Sequence, residues 1–459
     1  MYVNFKFTKR AFLITFVKPF NHFIVKPDMK KVLFATLFFI SSQISNAQLY
    51  FPPISGNSWD TISPANLGWC QDKIDTLLDF LETKNTKAFI VLKDGKIAIE
   101  KYYGTFTVDS LWYWASAGKS LTGFLVGLAK QDGSVNLSDS TSHYLGSGWT
   151  VCPTAKEGLI TVLDQLKMTS GLDDLVPDNY CTDDTCLQYL ADAGTRWAYH
   201  TAPYTLLDGV IENGTGQGLN LFLLNKLKTP TGMTGNFYPT GYLNLFVSKP
   251  RSMARFGLLM LNRGNWDGNQ IMTDTAYFNA MTNTSQNLNP SYGYLWWLNG
   301  KPTYLVPGFQ IPIPGPLMPH APMDMIAALG KNGQFINVVP SQNLVLIRMG
   351  DAPGVGEVPF TFNDSIWERM NDVMCGSTSA NSDLTNKTEI KLYPNPAFQT
   401  VSFFSDIEDN YQMYNLLGEN IKSGIALSGE NKIDLTGIES GTYILRIGKR
   451  NSKLVIKGK

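Results

Sequence analysis

The chain has 459 residues, 44% hydrophobic and 17% charged, with 38 basic and 38 acidic side chains. That length supports two or three domains with real cores, and the composition excludes wholesale disorder. A net charge of zero argues against a phosphate-binding surface, so no nucleic acid partner is expected. The four histidines, His22, His143, His200 and His320, show no zinc-like spacing, so neither a metal nor another cofactor is expected.

Residues 29–47 (MKKVLFATLFFISSQISNA) read as a signal peptide. Lys30 and Lys31 form the positive start, Val32 to Ile40 the apolar run, and Ser45-Asn46-Ala47 the cleavage site. The run is too short to span a membrane, so no transmembrane segment is expected in the mature chain. Residues 1–28 precede Met29 and read as an extension upstream of the true start. Export permits disulfides among Cys70, Cys152, Cys181, Cys186 and Cys375. Cys181 and Cys186 close a short loop. Cys70 and Cys375 meet if the helices they flank pack antiparallel, which leaves Cys152 over.

From Cys70 to Thr83 the apolar residues Ile74, Leu77, Leu78 and Leu81 form one helical stripe. Asp94-Gly95 between two β-rich runs predicts a hairpin. Residues 116–130 (SAGKSLTGFLVGLAK) predict a buried helix, and 131–250 a mixture of helices and polar loops. MIAALG, FINVVP and LVLIRMG predict three late strands, followed by an amphipathic helix over 362–374. Strands early and late with helices between them predict an α+β domain over 48–375. Its antiparallel sheet is flanked by the terminal helices and carries a helical subdomain. Residues 376–387 (GSTSANSDLTNK) predict a linker. Short alternating strands over 388–459 predict a small all-β sandwich.

Ser116 and Lys119 form a Ser-x-x-Lys tetrad, which helical spacing places one turn apart on one face. A serine hydroxyl attacks only when a base takes its proton. A desolvated lysine has a lowered pKa and serves as that base. Two further segments bear on this pair: Tyr199-His200-Thr201, and Lys331-Asn332-Gly333-Gln334 between two predicted strands.

On these three motifs the chain resembles the serine β-lactamase/penicillin-binding-protein superfamily, in its class C-like branch. LKMTSGLDD at 166–174 and YGYLWWL at 292–298 support the likeness, which covers roughly 66–375. The resemblance implies a class C β-lactamase-like fold and an acyl-enzyme mechanism. Ser116 is then the nucleophile, with Lys119 and Tyr199 as its proton-handling partners. Lys331, Thr201, Asn332 and Gly333 bind substrate, and the backbone N–H groups of Ser116 and Gln334 form the oxyanion hole. Thr201 departs from the family's Asn, which weakens the case for β-lactam hydrolysis. The reading favours an esterase or amidase acting on a small ester, amide or peptide. The first alternative is a D-Ala-D-Ala carboxypeptidase, D-aminopeptidase or β-lactamase, and the second a non-catalytic surface binding protein of the same fold.

Other readings of the same chain carry less weight. A nucleophile elbow needs a Gly that Trp114-Ala115-Ser116-Ala117-Gly118 lacks. A triad through His143, His200 or His320 and sugar platforms at Trp112/Trp114 or Trp296/Trp297 are weaker than core roles. The pairs Asp173-Asp174 and Asp183-Asp184 read as solvated loops.

Residues 388–459 resemble the C-terminal sorting domain of the type IX secretion system. The matching residues are Leu392-Tyr393-Pro394-Asn395-Pro396-Ala397, Tyr414-Asn415-Leu416-Leu417-Gly418 and Gly441-Thr442-Tyr443-Ile444-Leu445. This implies the secretion machinery as a partner, and passage through the periplasm to the cell surface or the medium.

Overall fold

The structure, a computed structural model, describes residues 49–354, 358–375 and 390–457, apart from 406, 416–418 and 449. The expected extension, signal peptide and linker lie outside the described residues, as does the Leu416–Gly418 part of the tail motif.

Helix α1 (Gln71–Thr83) leads into the hairpin of β1 (Thr86–Lys93) and β2 (Lys96–Tyr102). Asp94 and Gly95 both take positive φ, 51° and 83°, as a tight two-residue hairpin turn requires. A short strand β3 (Trp112–Tyr113) precedes the long helix α2 (Gly118–Gln131), and α3 (Thr201–Thr205) and α4 (Leu207–Thr215) belong to the helical region. Next come β4 (Asn236–Thr240), β5 (Leu243–Ser248), α5 (Pro250–Leu261), β6 (Trp297–Leu298), and the hairpin of β7 (Thr303–Val306) and β8 (Phe309–Pro314). The domain closes with β9 (Ile326–Gly330), β10 (Gln334–Val339), β11 (Leu344–Gly350) and α6 (Phe360–Val373).

The main sheet is antiparallel, in the order β2-β1-β11-β10-β9-β6. Its central strands are buried along their whole length, because both faces are covered. On one side α1 packs with α6, and Phe362 meets both Phe80 and Phe335. On the other side α5 lies on β10, β11 and β1. Gly257 lets α5 approach, since a Cβ there would stand 2.5 Å from Val345 Cγ1. Cys70 and Cys375, at the outer ends of α1 and α6, are disulfide-bonded. Cys181 is bonded to Cys186, and Cys152 is a buried free thiol. The α+β reading with terminal helices and a helical middle describes this domain.

Two local expectations are corrected. The hairpin of β4 and β5 pairs with β3 in a second small sheet, inside the stretch read as helices and loops. Pro239 within β4 masked the strand signal, because proline interrupts a ladder. In addition, Ser116 does not lie on the long helix. It sits in a single 3-10 turn, Ala115–Ala117, that leads into α2.

The described tail residues form six further strands in a two-stranded and a four-stranded sheet, all antiparallel. Alternating residues such as Val401, Phe403, Met413, Leu445 and Leu454 give this module its own core.

Candidate active site

Ser116 is held by its neighbours on both sides. Trp114 is fully buried, donates from Nε1 to Ser248 Oγ at 2.8 Å, and stacks edge-on against Phe246. Its backbone N–H also donates to Phe246 O at 2.9 Å, so β5 fixes the approach to the nucleophile. Ala115 takes a left-handed φ of 48°, unusual for a residue with a Cβ. From the sheet side, Gly330 at the end of β9 abuts this turn. A Cβ on Gly330 would come within 2.4 Å of Trp114 O and 3.0 Å of Ala117 N.

Lys119 lies on the first turn of α2 and is 3% exposed. Its Nζ donates to Ser116 Oγ at 3.2 Å. The same Nζ stands 4.2 Å from the Tyr204 ring centroid and 5.3 Å from that of Tyr199. Burial brings the Lys119 pKa down to about 7, and the nearby Asp208 carboxylate opposes that fall. Asp208 on α4 accepts from Asn244 Nδ2 at 2.8 Å, and burial lifts its pKa to about 7. A lysine in this state is part neutral at physiological pH and can accept a proton.

Tyr199 is buried just before α3, its ring stacked on Trp297 at 5.6 Å. Thr201 opens α3 and is buried. One pocket gathers Ser116, Tyr199, Thr201 and Lys331, together with Asp174, Asn179, Tyr180, Pro307, Gly308 and Val358. The first four were marked in the sequence as site residues, Asp174 lies in the 166–174 segment that supported the likeness, and the other five come from loops with no motif of their own.

Lys331, Asn332 and Gly333 form the turn between β9 and β10. Asn332 and Gly333 have φ of 62° and 78°. Asn332 Nδ2 donates to Tyr113 Oη at 2.8 Å, which ties the turn to β3. Beneath it lies Arg348 of β11, fully buried. Arg348 donates to Asn332 O at 2.6 Å, Gly333 O at 3.0 Å, Lys84 O at 2.7 Å and Asp351 O at 3.1 Å, and through Nε to Thr86 Oγ1 at 3.1 Å. Burial lowers its pKa to about 9. Arg348 had no signal in the sequence beyond a charge inside an apolar strand.

Gln334 does not line the pocket. It is fully buried in β10, and its side chain bonds both backbone groups of Gly350, at 2.7 and 3.1 Å. That side-chain amide serves the sheet, whereas the oxyanion donor expected at Gln334 is its backbone N–H, which these bonds do not engage. The residue of this turn that reaches the pocket is Lys331.

The rival groups have structural roles. Burial pushes His200 down to about 4, so its ring is neutral at pH 7. His320 Nδ1 lies 2.8 Å from Asp364 on α6, and His143 packs against Tyr144. Trp114, Trp296 and Trp297 are core residues. Asp174 is no solvated loop residue: its buried carboxylate pairs with Arg196 at 2.7 Å. Among the described residues no helix is long and apolar enough to cross a membrane.

Residues 84–357 match the Beta-lactamase family model, and 391–457 match the secretion system C-terminal sorting domain. The chain therefore belongs to the β-lactamase family, the β-lactamase/penicillin-binding-protein-like serine hydrolases, and carries a secretion sorting domain that marks it as secreted or cell-surface. An uncharacterized protein of Alkalihalophilus pseudofirmus is 24% identical over 319 residues, 61% of this chain and 87% of that protein. The 6-aminohexanoate-dimer hydrolase of Paenarthrobacter ureafaciens is 25% identical over 272 residues, 50% of this chain and 69% of that enzyme. A solved structure from Bacillus anthracis, provisionally assigned as a 6-aminohexanoate-dimer hydrolase, superposes with a TM-score of 0.54 at 16% identity. It covers 71% of this chain and 89% of its own.

Proposed function

We propose that the protein is an exported serine hydrolase that forms an acyl-enzyme on Ser116 with small esters or amides. The observation that carries this reading is the Ser116–Lys119 contact at 3.2 Å, with the amine buried and its pKa near 7. Ser116 Oγ attacks the substrate carbonyl carbon while its proton passes to neutral Lys119 Nζ. The carbonyl oxygen becomes an oxyanion, to which we assign the backbone N–H groups of Ser116 and Gln334. Such a donor contributes about 3 kcal/mol in the transition state. The C–O or C–N bond then breaks, and Lys119 or Tyr199 returns the proton to the leaving group. Water, deprotonated by the same groups, cleaves the serine ester and regenerates Ser116.

Lys331 and Thr201 line the pocket that receives the substrate, and Lys331 would draw an anionic group. The likeness to a 6-aminohexanoate-dimer hydrolase supports linear amides as a class beside esters. The signal peptide at 29–47, with cleavage before Gln48, completes the export reading.

The test compares wild type with Ser116→Ala on nitrophenyl acetate, linear amides of amino acids, D-amino-acid nitroanilides and a chromogenic cephalosporin. Turnover of at least one class by wild type alone is expected, together with fluorophosphonate labelling of Ser116. Turnover only of D-amino-acid substrates would move the assignment to the peptidase alternative. No turnover and no label would leave a binding protein of hydrolase fold.

A further inference from the structure

The β7–β8 hairpin reaches the Ser116 pocket at its tip, where Pro307 and Gly308 line the wall. Residues 302–319 contain no charged side chain. β7 is pinned to the domain: Leu305 is buried, its N–H donates to Asn289 Oδ1 at 3.1 Å, and Ser291 Oγ donates to Thr303 O at 3.0 Å. β8 is the outer strand and is largely exposed. Phe309 pairs with Val306 and Ile313 with Tyr304. Directly paired residues share a face, so these four line one side of the ribbon. Leu305, alternating with them, faces the interior.

Among the described residues nothing covers the outer strand of this ribbon. Phe309 is 44% exposed and Ile311 65% exposed, although both follow directly on the pocket-lining tip. Soluble proteins seldom leave contiguous apolar surface without a use. The surface is continuous with the pocket through Gly308, and Ile311 lies three residues farther out, at most about 10 Å of chain, in the stretch where the β8 register shifts against β7. A medium-length alkyl chain attached near a carbonyl at Ser116 spans that reach. We infer that the β7–β8 hairpin is the specificity arm of this hydrolase, and that it takes an apolar chain of the substrate along Phe309 and Ile311. The inference rests on the Ser116 reading and names the substrate class it left open.

The experiment uses the full chain, wild type and a Phe309→Ser/Ile311→Ser variant. Both positions are exposed, so the fold is retained, and Leu221→Ser, at an exposed helix position outside the pocket lining, serves as control. kcat/KM is measured for nitrophenyl acetate, butyrate and octanoate, and for ethyl, butyl and octyl acetates, so that acyl and leaving-group chains are read separately. Wild type favours the octyl member of one series. The double variant loses about tenfold of that preference while acetate turnover is unchanged. Equal chain-length profiles in the two proteins overturn the inference. If no ester shows Ser116-dependent turnover, the catalytic reading fails, and the hairpin is judged by binding. Anilinonaphthalene sulfonate displaced by octanoate from the Ser116→Ala protein, but not from the same protein with both serine substitutions, supports the arm; equal displacement overturns it.

Discussion

The two walls of the Ser116 pocket are built from different materials. One is continuous with the core: α2 brings Lys119, the turn after β9 brings Lys331, and Arg348 beneath that turn ties it to the backbone at Lys84 and Asp351. The other wall is loop. Asp174, Asn179 and Tyr180 come from a segment held by the Asp174–Arg196 pair, the Cys181–Cys186 bridge and a bond from Ala202 N to Asn179 O at 3.2 Å; Pro307 and Gly308 come from the hairpin tip. Packed elements hold reacting groups to the tolerance that chemistry needs, whereas loops can change shape without endangering the core. On the proposed mechanism the first wall is the place for the reaction and the second for the choice of substrate.

Substitutions on the two walls sharpen that division, because they separate effects on every substrate from effects on some. The largest is expected for Lys119→Met. It removes the proposed base and is expected to lower kcat by about 10³-fold for all substrates. The melting temperature holds or rises, because the buried amine no longer has to be desolvated. A kcat within tenfold of wild type would break the assignment.

Arg348→Met comes next. It leaves carbonyls of Asn332, Gly333, Lys84 and Asp351 without their buried donor, a loss of about 3 kcal/mol or more read by urea unfolding. Its activity loss is shared by all substrates.

Replacing Cys181 and Cys186 together by Ser tests the loop wall. Their separation of 5 residues makes the bridge worth about 2 kcal/mol in chain entropy. Because Cys181 adjoins Tyr180, KM rises more than kcat falls. An equal fall across substrates with unchanged KM would place this loop with the core instead.

The smallest effect is a displacement of the pH profile. On the proposed mechanism activity requires neutral Lys119, so kcat/KM is expected to rise as pH passes upward through about 7. Asp208 holds the Lys119 pKa up, so Asp208→Asn moves that rise to lower pH. The limb belongs to the pair, because Asp208 itself titrates near 7. A rise that stays put or moves to higher pH would show that Asp208 does not act on Lys119.

The sequence reveals the two walls unequally, for a physical reason. Periodicity and turn chemistry mark α1, the β1–β2 hairpin and the three late strands, because each obeys a local rule. Ser116, Lys119, Tyr199 and Lys331 stand out because the family's motifs are local as well. Asn179 and Gly308 reach the pocket only through tertiary folding, and neither belongs to a motif. Arg348 was hidden for a similar reason: its five bonds go to carbonyls and a hydroxyl, which leave no pattern of side chains to read.

The Cys70–Cys375 bridge joins positions 305 residues apart, one just before α1 and one just after α6. The whole catalytic domain is thereby a covalent ring. A protease outside the cell that clips any one loop of it, the exposed hairpin included, opens the ring but releases no fragment. The nicked enzyme would migrate as one band until reductant is added. A secreted hydrolase closed in this way can survive damage that would cut an open chain in two.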